Sequence, residues 1–124
     1  MPKEIIEVPV LSDVIRKIGV PLSLVTRANG FVFVSGTPPF DVRTGQLVRG
    51  DIEAQTEASL RAVKHCLEFA GSSLEKVVMC RVYASNAGKV YARYFAEDPP
   101  SRTFVPVGSW PMEFDIEIEC MALS

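Results

Sequence analysis

The alternation of apolar and acidic side chains over residues 114–120 limits what this chain can fold into more than any other feature. The alternating residues are Phe114, Asp115, Ile116, Glu117, Ile118, Glu119 and Cys120, and Ala122 continues the apolar set. A period of two is typical of a strand with one buried face and one open face. The chain must therefore hold this strand against a hydrophobic core while a row of carboxylates points away from that core.

A single arginine stands at the start of the preceding extended stretch. Arg102 follows Pro99 and Pro100, which disfavour helix and keep the chain extended. We expect this strand and the last strand to pair. A planar guanidinium suits bidentate recognition of a carboxylate, so Arg102 is a candidate to hold an anionic substrate and Glu117 to serve the chemistry beside it. The residues alone leave two alternatives open, an ion pair of Arg102 with Glu117 or Glu119 and a plain solvated face.

Length and charge limit the class of protein. With 124 residues, 48% of them hydrophobic, the chain predicts one domain over residues 1–124 with a substantial core. A net charge of −2 argues against nucleic-acid or membrane-surface binding, which both favour a basic face. No run approaches a membrane span, and the N-terminus lacks the apolar core of a signal peptide.

The cysteines indicate a reducing compartment. Cys66, Cys80 and Cys120 are odd in number and widely separated, so we expect buried free thiols in a cytoplasmic protein. With His65 as the only histidine, the sequence predicts no zinc site.

The first half of the chain predicts strands. Lys3–Val10 is a first strand, and Leu11–Pro21 is a loop with at most one helical turn. Leu22–Arg27 and Phe31–Ser35 flank Asn29-Gly30, the dipeptide typical of a two-residue hairpin turn. Residues 31–34 are apolar on both faces, which predicts a central strand covered on both sides.

The second half mixes helices and strands. After a short strand at Gln46–Val48, apolar residues recur every three or four positions and predict a helix over Asp51–Ala70, with Asp51 as N-cap and Gly71 as its stop. A strand at Val77–Ala84 and a short second helix at Ala87–Ala96 follow. The order β-β-β-α-β-α-β-β predicts an α+β domain with two helices on one face of a mixed sheet.

Two motifs stand far apart in the chain. The first is Val-Ser-Gly-x-x-Pro at residues 34–39, followed by Asp-x-x-Thr-Gly at residues 41–45. The second is Pro-x-Arg-Thr at residues 100–103, Trp-Pro at residues 110–111 and Ile-Glu-Ile-Glu-x-x-Ala at residues 116–122. Together they resemble the Rid family, also called the YjgF or endoribonuclease L-PSP-like family of reactive-intermediate deaminases. The resemblance extends over nearly the whole chain from about residue 6.

The resemblance implies both a fold and an activity. Family members are chorismate-mutase-like α+β domains that form homotrimers with an active site in each cleft between subunits. The best-studied branch hydrolyses enamine or imine intermediates to a 2-keto acid and ammonia, as a hydrolase acting on C–N bonds without a cofactor. By position, Arg102 resembles the arginine that grips the substrate carboxylate, and Glu117 the glutamate that orients or activates water. Ser35 and Gly36 resemble the loop that lines the cleft.

Three departures from the family pattern leave the substrate open. Leu22 stands where many members of the branch have tyrosine, Phe104 where they often have cysteine, and Gly88 or a deletion where asparagine is common, in a segment between Ala84 and Phe95 that is shorter than usual. A wall that contains Leu22 and Phe104 favours a bulkier substrate, such as a 2-aminomuconate-like compound.

Two other classes of function compete with a deaminase. One is a non-catalytic trimer that binds a small carboxylate as a sensor. The other is an RNA-acting translation inhibitor, which the acidic balance and the lack of a basic stripe disfavour.

Overall fold

A computed structural model describes residues 2–84, 93–107 and 114–124, and in these ranges an α+β domain forms around one mixed sheet. The elements in chain order are β1 Glu4–Ile6, α1 Leu11–Ile18, β2 Val25–Ala28, β3 Phe31–Thr37, α2 Ile52–Phe69, β4 Val77–Ala84, β5 Ser101–Val105 and β6 Ile116–Leu123. The strands lie in the order β1-β2-β3-β6-β4-β5. Strands β4 and β5 pair in parallel, and the other pairs are antiparallel. The predicted fold class is confirmed.

Local sequence signals placed the hairpin and the long helix correctly. Asn29 and Gly30 both have positive φ, 51° and 82°, as a type I′ turn requires. At the start of α2, the Asp51 carboxylate accepts a hydrogen bond of 2.8 Å from the backbone N–H of Ala54. Gly71, with φ 79°, follows the end of this helix.

The region before the hairpin differs from its prediction. Residues 11–18, expected as a loop, form helix α1, and the first strand is limited to Glu4–Ile6. Leu11 and Ile15 lie one turn apart and are both buried, so packing stabilises this short helix. Its N-cap position is held by Val10 with φ 71° and without a side-chain hydrogen bond, so the usual N-cap signal is missing.

Two further predicted elements have different outcomes. The short strand expected at Gln46–Val48 is reduced to one bridge between Phe40 and Leu47. Most of the helix predicted at Ala87–Ala96 lies outside the described residues, and only Arg93 and Tyr94 of its described part are helical.

The last two strands do not pair with each other, contrary to the prediction. Strand β6 lies between β3 and β4, while β5 pairs with the far side of β4. The burial of the strands gives the reason. The alternate residues of β6 from Ile116 to Ala122 are buried, as a central strand allows, whereas the first three residues of β5 are exposed.

The two faces of the sheet have different environments. Helices α1 and α2 contribute to a single core against the face that carries Val32, Cys80, Ile118 and Cys120, which we call the covered face. The opposite face, here called the open face, carries Phe33, Arg81, Tyr83, Glu117, Glu119 and Met121, and these side chains are exposed or half-buried. Phe33 is 38% exposed, so the expectation that β3 is covered on both sides is wrong for this chain alone.

None of the helices in the described ranges is both long enough and apolar enough to cross a membrane.

Candidate functional site

A β-bulge in β3 brings Ser35 and Gly36 to the open face. Val34 is opposite Cys120 and Thr37 is opposite Ile118, so two residues of β3 stand against one residue of β6. Such a bulge bends the strand and redirects its side chains, and bulges are frequent next to active sites. Two hydrogen bonds hold Ser35 in place. Its Oγ donates to the carbonyl oxygen of Ser23 over 2.7 Å, and its backbone N–H donates to the carbonyl oxygen of Leu24 over 2.9 Å.

The carboxylate of Glu117 lies directly against the backbone of Gly36. A Cβ atom on Gly36 would stand 2.8 Å from Oε1 and 2.9 Å from Cδ of Glu117, closer than van der Waals contact allows. Only glycine therefore permits this position of the carboxylate. Glu117 is half-buried, so its charge is partly shielded but still reachable from the open face.

Glu119, two residues further along β6, has a different environment. Nη1 of Arg81 lies 3.2 Å from Glu119 Oε1, and the Tyr83 hydroxyl donates to the same oxygen over 2.6 Å. The hydrogen bond to this carboxylate, together with partial burial, raises the pKa of Tyr83 above its ordinary value. Glu119 is thus balanced by a cation and a hydroxyl of its own chain, which indicates a structural role.

A groove of about 390 Å³ runs along the open face beside the bulge. Its lining includes Leu22, Ser23, Phe33, Ser35, Arg81 and Met121. Leu22 is 41% exposed and forms part of its apolar wall. Two of the predicted binding residues, Leu22 and Ser35, therefore line one cavity, and Gly36 and Glu117 meet at the adjoining bulge.

Arg102 is not beside Glu117 within one chain. Its register partner on β4 is Cys80, while Glu117 pairs with Tyr83. Two strand spacings and three residues separate the two Cα positions, a distance of about 14 Å from standard sheet dimensions. Partners in a ladder point to the same face, so Arg102 lies on the side of the buried Cys80, whereas Glu117 lies on the open face.

Phe104 follows the same geometry as Arg102. It is opposite Val82 on β4 and packs, half-buried, against the core. The structure therefore brings Glu117, Gly36, Ser35 and Leu22 together on the open face and places Arg102 and Phe104 elsewhere, at the outer strand of the sheet.

The three cysteine thiols lie in surroundings that do not favour nucleophilic chemistry. Cys66, Cys80 and Cys120 are free and buried. Burial raises the pKa of the Cys66 thiol to about 12. The pKa of the Cys120 thiol is also raised, mainly by a hydrogen bond with Cys80 and secondly by burial. A thiol that stays protonated at neutral pH is a poor nucleophile. Within the ranges that the structure describes, no three His, Cys, Asp or Glu side chains are grouped to hold a metal ion.

Sequence reasoning did not assign roles to Arg81, Tyr83 and Gln55. The first two alternate with buried Cys80 and Val82 along β4, so the period of two would have placed them on the same face as Glu119. Gln55 is only 5% exposed and contacts Asp115. A polar residue on the buried side of a helix is the signal that would have identified it.

The sequence of this chain matches a known protein family, both through the family model and through individual relatives. The family model described as endoribonuclease L-PSP matches residues 16–124, a range that includes the bulge, Arg102 and Glu117. A RutC family protein of Pyrococcus horikoshii is 40% identical over 108 residues, which are 82% of this chain and 86% of that protein.

Solved structures agree with the fold. The Rid family protein YyfA of Yersinia pestis has a TM-score of 0.87 at 31% identity and covers 99% of this chain and 100% of its own. E. coli TdcF, solved with bound serine, has a TM-score of 0.77 at 26% identity and covers 85% of this chain and 89% of its own.

Proposed function

Because this chain belongs to the endoribonuclease L-PSP family, which includes the Rid and RutC proteins, we propose that it hydrolyses reactive enamine or imine intermediates in the cytoplasm. The products are a 2-keto acid and ammonia, and no cofactor takes part. The observation that carries this proposal is the Glu117 carboxylate held against the Gly36 backbone beside an open groove. The serine bound to TdcF supports a small ligand that carries a carboxylate.

In the proposed reaction, the site supplies orientation and one proton acceptor. Arg102 binds the substrate carboxylate through its planar guanidinium. The protonated imine is already electrophilic, so water adds to its carbon while Glu117 takes a proton from that water. Glu117 returns that proton to the nitrogen of the resulting carbinolamine, and ammonia leaves as the hydroxyl proton passes to the Glu117 carboxylate and the carbonyl forms. General base catalysis of this kind contributes about 10²- to 10⁴-fold in rate, and fixed geometry adds to it.

Each proposed active site lies between two subunits of a homotrimer. Within one chain, Arg102 and Glu117 are about 14 Å apart by sheet dimensions and lie on opposite faces. A small 2-imino acid therefore needs the arginine of one subunit and the glutamate of another. The exposed Phe33 and the other apolar side chains of the open face support an interface there.

We further propose that the substrate is bulkier than the imines derived from serine or threonine. Leu22 adds an apolar wall to the groove, and Phe104 stands two residues after Arg102. A comparison of kcat/KM for 2-aminomuconate and for the imine that a pyridoxal-phosphate dehydratase releases from threonine tests this size preference. A higher value for the small imine contradicts it.

The test of the activity uses substitutions of the two proposed catalytic residues. In an assay for 2-keto acid release, Arg102→Ala is expected to lose at least about 100-fold in kcat/KM because a charged, bidentate contact is removed. Glu117→Gln is expected to lower kcat by about 10²-fold or more. Arg61→Ala is the matched control: Arg61 lies on the outer side of α2, paired with Glu57, and its loss should leave turnover unchanged.

Binding and turnover measured on wild type and on Arg102→Ala distinguish a catalyst from a protein that only binds a carboxylate. A wild-type protein that binds a 2-keto acid in calorimetry without turning over either imine would identify a non-catalytic carboxylate-binding protein. Equal activity of wild type and Arg102→Ala would remove the proposed site.

A further inference from the structure

Helix α2 holds the bulge from the covered side of the sheet. The Oγ of Ser59 donates a hydrogen bond of 2.6 Å to the carbonyl oxygen of Thr37, the residue directly after Gly36. The hydroxyl of Thr37 in turn donates to the carbonyl oxygen of Ser35 over 2.8 Å. Ser59 and Thr37 are both fully buried, so water cannot replace these bonds, and the carbonyl groups on both sides of Gly36 are fixed.

The same helix holds the start of the strand that carries Glu117. The side-chain amide of Gln55 makes a two-point contact with Asp115: its Oε1 accepts from the Asp115 backbone N–H over 2.8 Å, and its Nε2 donates to Oδ2 over 3.0 Å. Nε2 also donates to the carbonyl oxygen of Gly50 over 3.0 Å. Both polar atoms of this nearly buried amide therefore form hydrogen bonds to Asp115 and join α2 to the start of β6.

Gln55 and Ser59 are four residues apart and lie one above the other, about 6 Å along the helix. One turn of α2 thus fixes both partners of the Gly36–Glu117 contact from the opposite side of the sheet. We propose that Gln55 and Ser59 are positioning residues that set the Glu117 carboxylate over Gly36 at the distance its reaction needs. This inference rests on the proposed function for its kinetic consequence, but the geometry that it concerns can be measured without turnover.

The expected effect on kcat follows because catalysis depends closely on the position of the Glu117 carboxylate. The Glu117 carboxylate occupies the space that a Cβ atom on Gly36 would fill, so a shift of either strand changes where the carboxylate can hold water. A misplacement of about 1 Å can cost about 100-fold in rate. Substrate binding through Arg102 would be unaffected, so the loss should be in kcat and not in KM.

The chain offers a matched control for this test. Ser72 also donates its Oγ to a strand carbonyl oxygen, that of Leu123 over 2.5 Å, and is 8% exposed. Leu123 is at the opposite end of β6 from Glu117. Ser59→Ala and Ser72→Ala therefore remove the same kind of hydrogen bond, and each should lower stability by a similar amount. Only Ser59→Ala is expected to lower kcat, by about 10-fold with KM within about 2-fold.

A second readout keeps the test independent of activity. The ¹³C chemical shift of the Glu117 carboxyl carbon, assigned by its loss in Glu117→Gln, should move in Ser59→Ala and in Gln55→Leu and stay unchanged in Ser72→Ala. If wild type has no deaminase activity, the proposed function fails while this measurement still tests the positioning. If Ser59→Ala and Ser72→Ala behave alike in both readouts, the positioning role is overturned. Should Gln55→Leu fail to fold, the serine pair decides alone.

Discussion

The covered and open faces of the sheet are built from alternate residues of the same strands, yet they have opposite tasks. On β6, Ile116, Ile118 and Cys120 point into the core, whereas Glu117 and Glu119 between them lie on the open face, where Glu119 lines the groove. On β4, Cys80 and Val82 are buried while Arg81 and Tyr83 bind Glu119. Stability and proposed chemistry are therefore separated by a single residue along the chain, and substitutions on the two faces should have different signatures.

The largest expected difference between the faces concerns stability. Ile118→Ala removes a side chain with 0% exposure and should lower the free energy of unfolding by about 2–5 kcal/mol. Met121→Ala, on the half-exposed open face of the same strand, should cost about 1 kcal/mol or less in the isolated chain. Urea unfolding at several protein concentrations measures both, because association would otherwise add to stability.

Equal losses for these two variants in the isolated chain would contradict the division of the faces. A loss for Met121→Ala that grows with protein concentration would instead mark the open face as an interface.

The next prediction addresses the open face directly. Phe33→Ser should weaken the proposed trimer and shift it towards monomer at micromolar concentration, because it removes an apolar side chain that is 38% exposed in one chain. Phe69→Ser is the matched control, since Phe69 is 48% exposed on α2, away from this face. Sedimentation velocity gives the masses, and an unchanged mass for Phe33→Ser would remove the open face from the interface.

The smallest expected effect concerns the hydrogen bond between Tyr83 and Glu119. Tyr83→Phe should lower stability by about 1 kcal/mol and should leave the core intact. The pKa of Tyr83 is raised in the folded chain, so its contribution is fully present below about pH 10 and declines as pH rises through the folded pKa.

The difference in unfolding free energy between wild type and Tyr83→Phe, followed from pH 8 to 11.5, checks this sign. It should be constant at the lower end of that range and should shrink at the upper end. A difference that grows with pH would mean that Glu119 is not the acceptor.

Local sequence signals predicted the elements that depend on local chemistry. The turn at Asn29-Gly30 needs two positive φ values, and the N-cap at Asp51 needs a side-chain acceptor, so both are written in neighbouring residues. Helix α1 was missed for the same reason, because Val10 at its N-cap carries no such signal and tertiary packing of Leu11 and Ile15 stabilises it.

Strand pairing and the arrangement of the site could not be predicted in this way. Consecutive strands usually lie side by side, but β6 is inserted between β3 and β4, a choice made by packing across the whole sheet. As a result, the family resemblance assigned Arg102, Glu117 and the Ser35-Gly36 segment to one site, while the distance of Arg102 from Glu117 in one chain became visible only in three dimensions. The link from Gln55 to Asp115 spans 60 residues, and no local pattern reveals it.

The central position of β6 also determines how the domain can fold. Strands β1, β2 and β3 form one part of the sheet and β4 and β5 another, and β6 is the element that joins them. Because β6 follows the other five described strands in the chain, the two parts stay separate during synthesis until it emerges from the ribosome, with apolar edges uncovered. Such long-range pairing is slow, so the nascent domain should depend on chaperones more than a protein of this size with local contacts would.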